Sequence, residues 1–188
     1  MYLNCTTEKS AAYQRILEKC MMEFMRTSLV EDISISSLCQ HTGISRKTFY
    51  RLFTSKSDVI LAMLDHTILD FESFVPDPSV GPGEIHRFVA FWRTQEPLLD
   101  ALANNHASSI LLDRALNHIL SEDTEALQYF GASDMPYQRE MMLFYINGLM
   151  SLILDWHKTG FARSIEEMCQ VIRTLLQKAP VRWKYDTQ

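Results

Sequence analysis

Apolar residues recur along most of this chain at three- and four-residue intervals, a period that predicts helices rather than strands. Ile16, Leu17, Cys20, Met21, Phe24 and Met25 form one stripe, so a first helix is expected over residues 10–26. Ser34 is placed to cap a second helix over 35–41, with Leu38 facing inward. A third helix is expected over 46–53, where Ile44, Phe49 and Phe53 join Leu38 in a small core. Between them stands Thr42-Gly43, and a helix that ends at Gly ends where left-handed backbone costs nothing. Ser45 restarts the chain as an N-cap, so Arg46, Lys47 and Thr48 fill an exposed first turn. Ser55 and Asp58 make a capping-box-like start for a fourth helix carrying Val59, Ile60, Met63, Leu64, Ile68 and Phe71, which ends before Pro76.

The remainder is also helical in pattern. Residues 77–83 (DPSVGPG) read as a loop. Helices follow over 84–95, with Ile85, Phe88, Val89 and Trp92 on one side, over 98–104 after Pro97, and over 109–120. A helical piece is expected to end at 130, then a loop over 131–134, then a long helix over 136–158 stopped by Gly160. Ser164 and Glu167 cap a last helix, which Pro180 ends. Between Met141 and Trp156 almost every position is apolar except Asn147, Ser151 and Asp155. A helix apolar nearly all round buries more than one face. The last two helices therefore read as a dimerisation surface, a four-helix bundle across a two-fold axis, through Leu149, Leu152, Ile153, Trp156, Met168, Ile172 and Leu175. A central helix wholly buried in a monomer is the alternative. The expected fold class is all-α: a three-helix helix-turn-helix domain over 1–56 and a helical domain over 57–188 that carries the dimerisation surface and, as the resemblance given below implies, a ligand-binding site.

Composition narrows the function classes. With 47% hydrophobic and 22% charged residues the chain can bury a core. No apolar run approaches the roughly 20 residues needed to span a bilayer, so no membrane partner is expected. The first ten residues lack a signal-peptide pattern, and the four cysteines are scattered, so a cytoplasmic protein is expected, with Cys20 and Cys39 as core thiols. The net charge of -5 argues against a general polyanion binder, but it is unevenly spread. Residues 1–56 carry eight basic against five acidic residues, and the rest carry ten against eighteen. A basic head on an acidic body fits a local footprint on DNA. The six histidines include no H-x-x-x-H, and no G-x-S-x-G, P-loop or dinucleotide glycine pattern is present. Neither an enzyme, a metal site nor a cofactor is expected.

The stretch from Ile16 to Val59 resembles the TetR family of transcriptional regulators. The family's Ile-Leu pair in the first helix is matched by Ile16-Leu17. Its Ser/Thr before the second helix, buried Leu and Ala-Gly-Val-Ser turn are matched by Ser34, Leu38 and Thr42-Gly43-Ile44-Ser45. Thr48, Phe49, Tyr50, Phe53 and Lys56 match the third-helix pattern. The chain departs from the pattern at Arg26-Thr27-Ser28, where a Gly usually follows the first helix, and at Ser36 and Lys47. The second domain is similar to the family in architecture, and its FYINGLMSLILDWHKTGF stretch is similar to a branch that includes activators near dihydroxyacetone kinase operons.

The helix-turn-helix geometry puts the start of the third helix into a DNA major groove. Arg46 and Lys47 are then candidates for guanine edges or for phosphate, and Thr48 for a thymine methyl or a phosphate. Ser34, Ser36, Ser45 and Arg51 complete the candidate surface. Tyr50 resembles the family's phosphate-binding tyrosine. Lys56 stands at a helix start, where the dipole disfavours a cation, and a phosphate bound there would resolve the conflict. An apolar effector cavity is expected among the fourth to eighth helices, with Phe88, Trp92, His106, Met142 and Tyr145 as candidates. The expected function is a dimeric, effector-responsive regulator, a repressor more than an activator, that binds a palindromic double-stranded operator. The alternative is a ligand-binding coactivator or interaction subunit on the same scaffold that does not itself bind operator DNA.

Overall fold

The computed structural model describes residues 7–76, 83–121 and 137–177, and every regular element among them is helical. The elements are α1 (Glu8–Met25), a single 3-10 turn (Val30–Asp32), α2 (Ile35–Thr42), α3 (Arg46–Leu52), α4 (Lys56–Ser73), α5 (Glu84–Thr94), α6 (Glu96–Asn104), α7 (Ser108–Ser121), α8 (Gln138–Lys158) and α9 (Ile165–Gln177). The expected helical piece ending at 130, the loop at 131–134, most of the loop at 77–83 and Pro180 lie outside the described residues.

The starts of these helices follow local chemistry. Thr7 caps α1, which starts two residues before the expected bound: the Thr7 hydroxyl accepts from Ser10 N while the Thr7 amide donates to the Ser10 hydroxyl. The same reciprocal pair recurs as Ser34 with Ser37 at α2, Ser55 with Asp58 at α4, and Ser164 with Glu167 at α9. Each such cap satisfies two of the four amides that a helix start leaves open. Gly43 closes α2 in the left-handed region, at φ 69°, where a side chain would strain the backbone. Gly160 does the same after α8, and Phe161 follows it into that region with its amide bonded to Trp156 O.

The core is continuous from one end of the molecule to the other. Leu17, Met21, Leu38, Phe49, Leu52, Val59, Leu64, Val89, Leu99, Leu102, Ile153 and Ile172 belong to one buried cluster. Each such side chain contributes about 1.5–3 kcal/mol by leaving water. The expected stripe on α1 is shifted by one flank. Leu17, Cys20, Met21 and Met25 are buried, but Ile16 is 45% exposed. Its place is taken by Ser10, Gln14 and Glu18, which lie four apart and are buried. Cys20 is a packed thiol whose pKa burial pushes up to about 11. His86, on α5, is buried with neither ring nitrogen hydrogen-bonded among the described residues.

Polar contacts lock the small basic head, α1 to α3, onto the helices that follow. The missing glycine after α1 is compensated by two amides from α6. Asn104 Nδ2 donates to Met25 O and Ser28 O, and Asn105 Nδ2 donates to Met25 O at 2.7 Å and to Ala101 O. Asn105 Oδ1 in turn accepts from Val30 N at 2.7 Å. On the other side of α1, Arg15 pairs with Asp70 of α4, and both Glu18 oxygens lie 2.9 Å from His66 Nδ1. Asp100 of α6 is shared between Arg26 at the end of α1 and His157 at the end of α8.

Two outcomes test this junction. Asn105→Ala leaves Val30 N without its acceptor and Met25 O with Asn104 as its side-chain donor, and is expected to cost about 2 kcal/mol in denaturant unfolding; a change within experimental error would show that water replaces the amide. Desolvation by burial raises the Glu18 carboxyl above its ordinary value near 4.5, against the pull of His66. A carboxyl raised in the fold contributes stability that is fully present below the unfolded value and is lost as pH rises through the folded one. Glu18→Gln should therefore gain on wild type as pH rises above the ordinary carboxyl value near 4.5, and a stability difference that stays flat with pH would contradict it.

Candidate nucleic-acid interface and cavity

The turn between α2 and α3 is fixed from both sides. Thr42 Oγ1 donates to Leu38 O at 2.7 Å and accepts from Ile44 N, which ties the last turn of α2 to the approach of α3. Ser45 Oγ accepts from Thr48 N at 3.1 Å and bonds the Thr48 hydroxyl at 2.9 Å. Below, Phe49, Leu52 and Phe53 are fully packed. These contacts hold the start of α3 at the surface of a rigid three-helix head.

Among the candidate DNA-binding residues, Arg46 and Lys47 are exposed in the first turn of α3 and pair with no other described residue. Ser36 is exposed on α2, likewise without a partner. Ser34 and Ser45 are caps, and their hydroxyls and that of Thr48 are used within the helix starts, although Ser34 and Ser45 remain exposed. Tyr50 is 49% exposed, its ring edge-on to Phe49 and its hydroxyl without a hydrogen bond among the described residues. Arg51 is exposed on the same short helix.

Lys56 is different. Its ammonium donates to Val30 O, to Glu31 O at 2.9 Å and to Ile33 O at 2.9 Å. All three ammonium protons are thereby used, and the conflict with the α4 dipole is resolved inside the fold rather than by a phosphate. The charge surplus of the head is also smaller at its surface than the residue count implies. Arg15 and Arg26 are spent on Asp70 and Asp100 at the junction.

The second feature is an open cavity of about 450 Å³ lined by α4, α5, α7, α8 and α9. That volume lies in the range of sites for small organic ligands. Of the residues expected to face an effector, Phe88 and Trp92 line it. His106 does not: it is exposed in the turn after α6, at φ 51°. Met142 is fully buried in the core and Tyr145 half-buried, and neither reaches the cavity. Phe71 and Ile68 of α4, Leu111 and Ile119 of α7, and Met150 of α8 do line it, as do two residues assigned to the dimer surface, Leu149 and Ile172. Phe71 and Ile68 were legible as an apolar pair three apart on α4, but the sequence does not say that this face meets empty space.

The proposed dimer surface also changes. Ile153, Trp156, Met168 and Ile172 are buried inside the protomer, and Trp156 Nε1 donates to Arg163 O at 3.0 Å. Their side chains belong to its own core. Leu149 and Leu152 are half-buried, and only Leu175, 42% exposed, stands outward as expected. The outer strip of α8 carries Leu143, Phe144 (76% exposed), Asn147, Gly148 and Ser151. Among the described residues, nothing beyond the helix's own nearby backbone and the adjoining residues lies within 4 Å of where a Gly148 Cβ would stand. Leu175 and Leu176 lie exposed on α9.

No helix among the described residues is long and apolar enough to cross a membrane. Among known proteins, no family model and no curated sequence matches the chain.

Reassigning Lys56 carries its own test. Lys56→Met should lower folding stability by about 1–3 kcal/mol, because carbonyls at the 3-10 turn lose their donor. A variant as stable as wild type would return Lys56 to the candidate phosphate contacts.

Proposed function

We propose that this chain is a TetR-type regulator that binds operator DNA as a dimer and responds to a small molecule. The observation that carries the proposal is the pair Arg46 and Lys47, two unpaired cations on the exposed first turn of α3. A compact turn at Gly43 and a packed floor of Phe49 and Phe53 pre-organise them. Spacing and charge at such a helix start suit the major groove, with Ser36 and Tyr50 beside it to meet the backbone. The cavity supplies a place for an effector on helices that also hold the head. An effector changes DNA affinity only through its differential affinity for the two arrangements of those helices. A dimer is supported by the apolar Leu143 and Phe144 at the outer face of α8, and by the open space over Gly148, which lets a second helix approach closely. The sign of regulation favoured here is repression, with the effector weakening operator binding.

Gel shift on the DNA flanking the gene tests the reading. Arg46→Ala or Lys47→Ala should each cost about 1–3 kcal/mol and relax preference at one operator position where the contact is to a base. Uniform weakening across operator variants would reassign that residue to phosphate. No retardation at low salt, with or without cell extract, would favour an interaction subunit that does not bind DNA. Sedimentation at micromolar concentration should give a dimer, and a monomer would remove the two-headed reading.

A further inference from the structure

The chemistry of the cavity mouth narrows what the cavity takes, given the proposed function's reading of it as an effector site. Its walls are apolar and aromatic, with Phe71, Phe88 and Trp92 on one side. The charged side chains that line it are Glu72, Glu84 and Arg87, together with His118. Arg87 is already spent. Its Nε donates to Phe74 O at 3.0 Å, and its Nη2 donates to Phe71 O at 2.6 Å and to Glu72 O at 2.7 Å. Its Nη1 donates to Glu84 Oε2 at 3.0 Å, and the guanidinium lies 4.7 Å from the Phe71 ring centre. Four of its five N–H groups are used, three of them on the carbonyls that close α4. This arginine is a helix cap, with no fork left to grip a ligand carboxylate.

The two carboxylates are not spent in the same way. Glu72 meets His118 Nε2 through Oε1 at 2.7 Å, and a carboxylate oxygen only accepts, so the ring donates. Glu72 Oε2 and Glu84 Oε1 have no partner among the described residues. Aromatic faces next to two open carboxylate oxygens favour a cation and disfavour an anion.

We infer that the cavity binds an apolar molecule with a cationic end, of the lipophilic amine class, whose charge sits at Glu72 and Glu84 while its apolar part lies against Phe88 and Trp92. The opposite class, an aliphatic or aromatic carboxylate, is rejected by the same two side chains.

Calorimetric titration with three probes of one shape, phenylhexylamine, phenylhexanol and phenylhexanoate, separates the chemistry from the site. The amine should bind at least ~tenfold tighter than the carboxylate, with the alcohol between them. The double variant Glu72→Gln, Glu84→Gln keeps an acceptor for His118 and should bring the amine to within about threefold of the alcohol, leaving the alcohol itself unchanged. A carboxylate that binds as tightly as the amine, or a charge preference that survives the double variant, overturns the ligand class while leaving the cavity reading in place. Ala115→Phe projects a ring into the cavity and should abolish binding of the alcohol. Failure of the alcohol to bind wild type, or its undiminished binding to Ala115→Phe with the fold intact by thermal unfolding, overturns the cavity reading and the ligand class together.

Discussion

Helix α4 is shared by the two ends of the molecule, and the rest of the structure depends on how it is held. At its start the Lys56 ammonium gathers three carbonyls from the turn before α2, so α4 cannot tilt without disturbing the head. At its end the Arg87 guanidinium gathers three more, from Phe71, Glu72 and Phe74. Between these clamps, one side of α4 packs on α1 through Arg15–Asp70 and Glu18–His66, and another pairs Asp65 with Arg114 of α7. Thr67, Ile68, Phe71 and Glu72 of the same helix form a wall of the cavity. A rod fixed at both termini transmits displacement, because packed interiors shift between discrete arrangements rather than deforming gradually. Phe71 in the cavity wall thus belongs to the same helix that Lys56 ties to the head.

Charge is used economically in this arrangement. Eight cations stand in the first 56 residues, but Arg15 and Arg26 face acids of the body and Lys56 is internal to the fold. Arg46 and Lys47 remain unpaired at the start of α3. The basic head is thus two things at once: a set of ion pairs that dock it on α4 and α6, and a small outward patch. A salt-sensitive partner would feel only the second set, since the junction pairs are already satisfied.

Much of the local structure is legible in the residues. Ser34, Ser45, Ser55 and Ser164 are caps where the pattern placed them, and Gly43 and Gly160 end helices in the left-handed region. What the pattern misses is which apolar face meets which neighbour. Ile16 has the period of a core residue but stands 45% exposed, and the buried flank of α1 holds Gln14 and Glu18 instead, the latter paired with His66. Ile153, Trp156, Met168 and Ile172 look like an exposed seam because the helix is apolar nearly all round, yet α8 and α9 bury them within one protomer. Met142 and Phe88 are alike in hydropathy, and only three-dimensional packing separates a filled core position from one bordering a cavity. Lys56 is the sharpest case: a cation at a helix start is unfavourable locally, and three carbonyls distant in sequence supply the compensation.

The central claim is that α3 reads DNA in two copies. Footprinting of the purified chain on the DNA upstream of its gene tests it most directly. The account predicts a two-fold symmetric protection whose half-sites are separated by one helical turn or a multiple of it, and which disappears in the double variant Arg46→Ala, Lys47→Ala. Absence of protection at low salt, or a single unsymmetrical site indifferent to that variant, would contradict it.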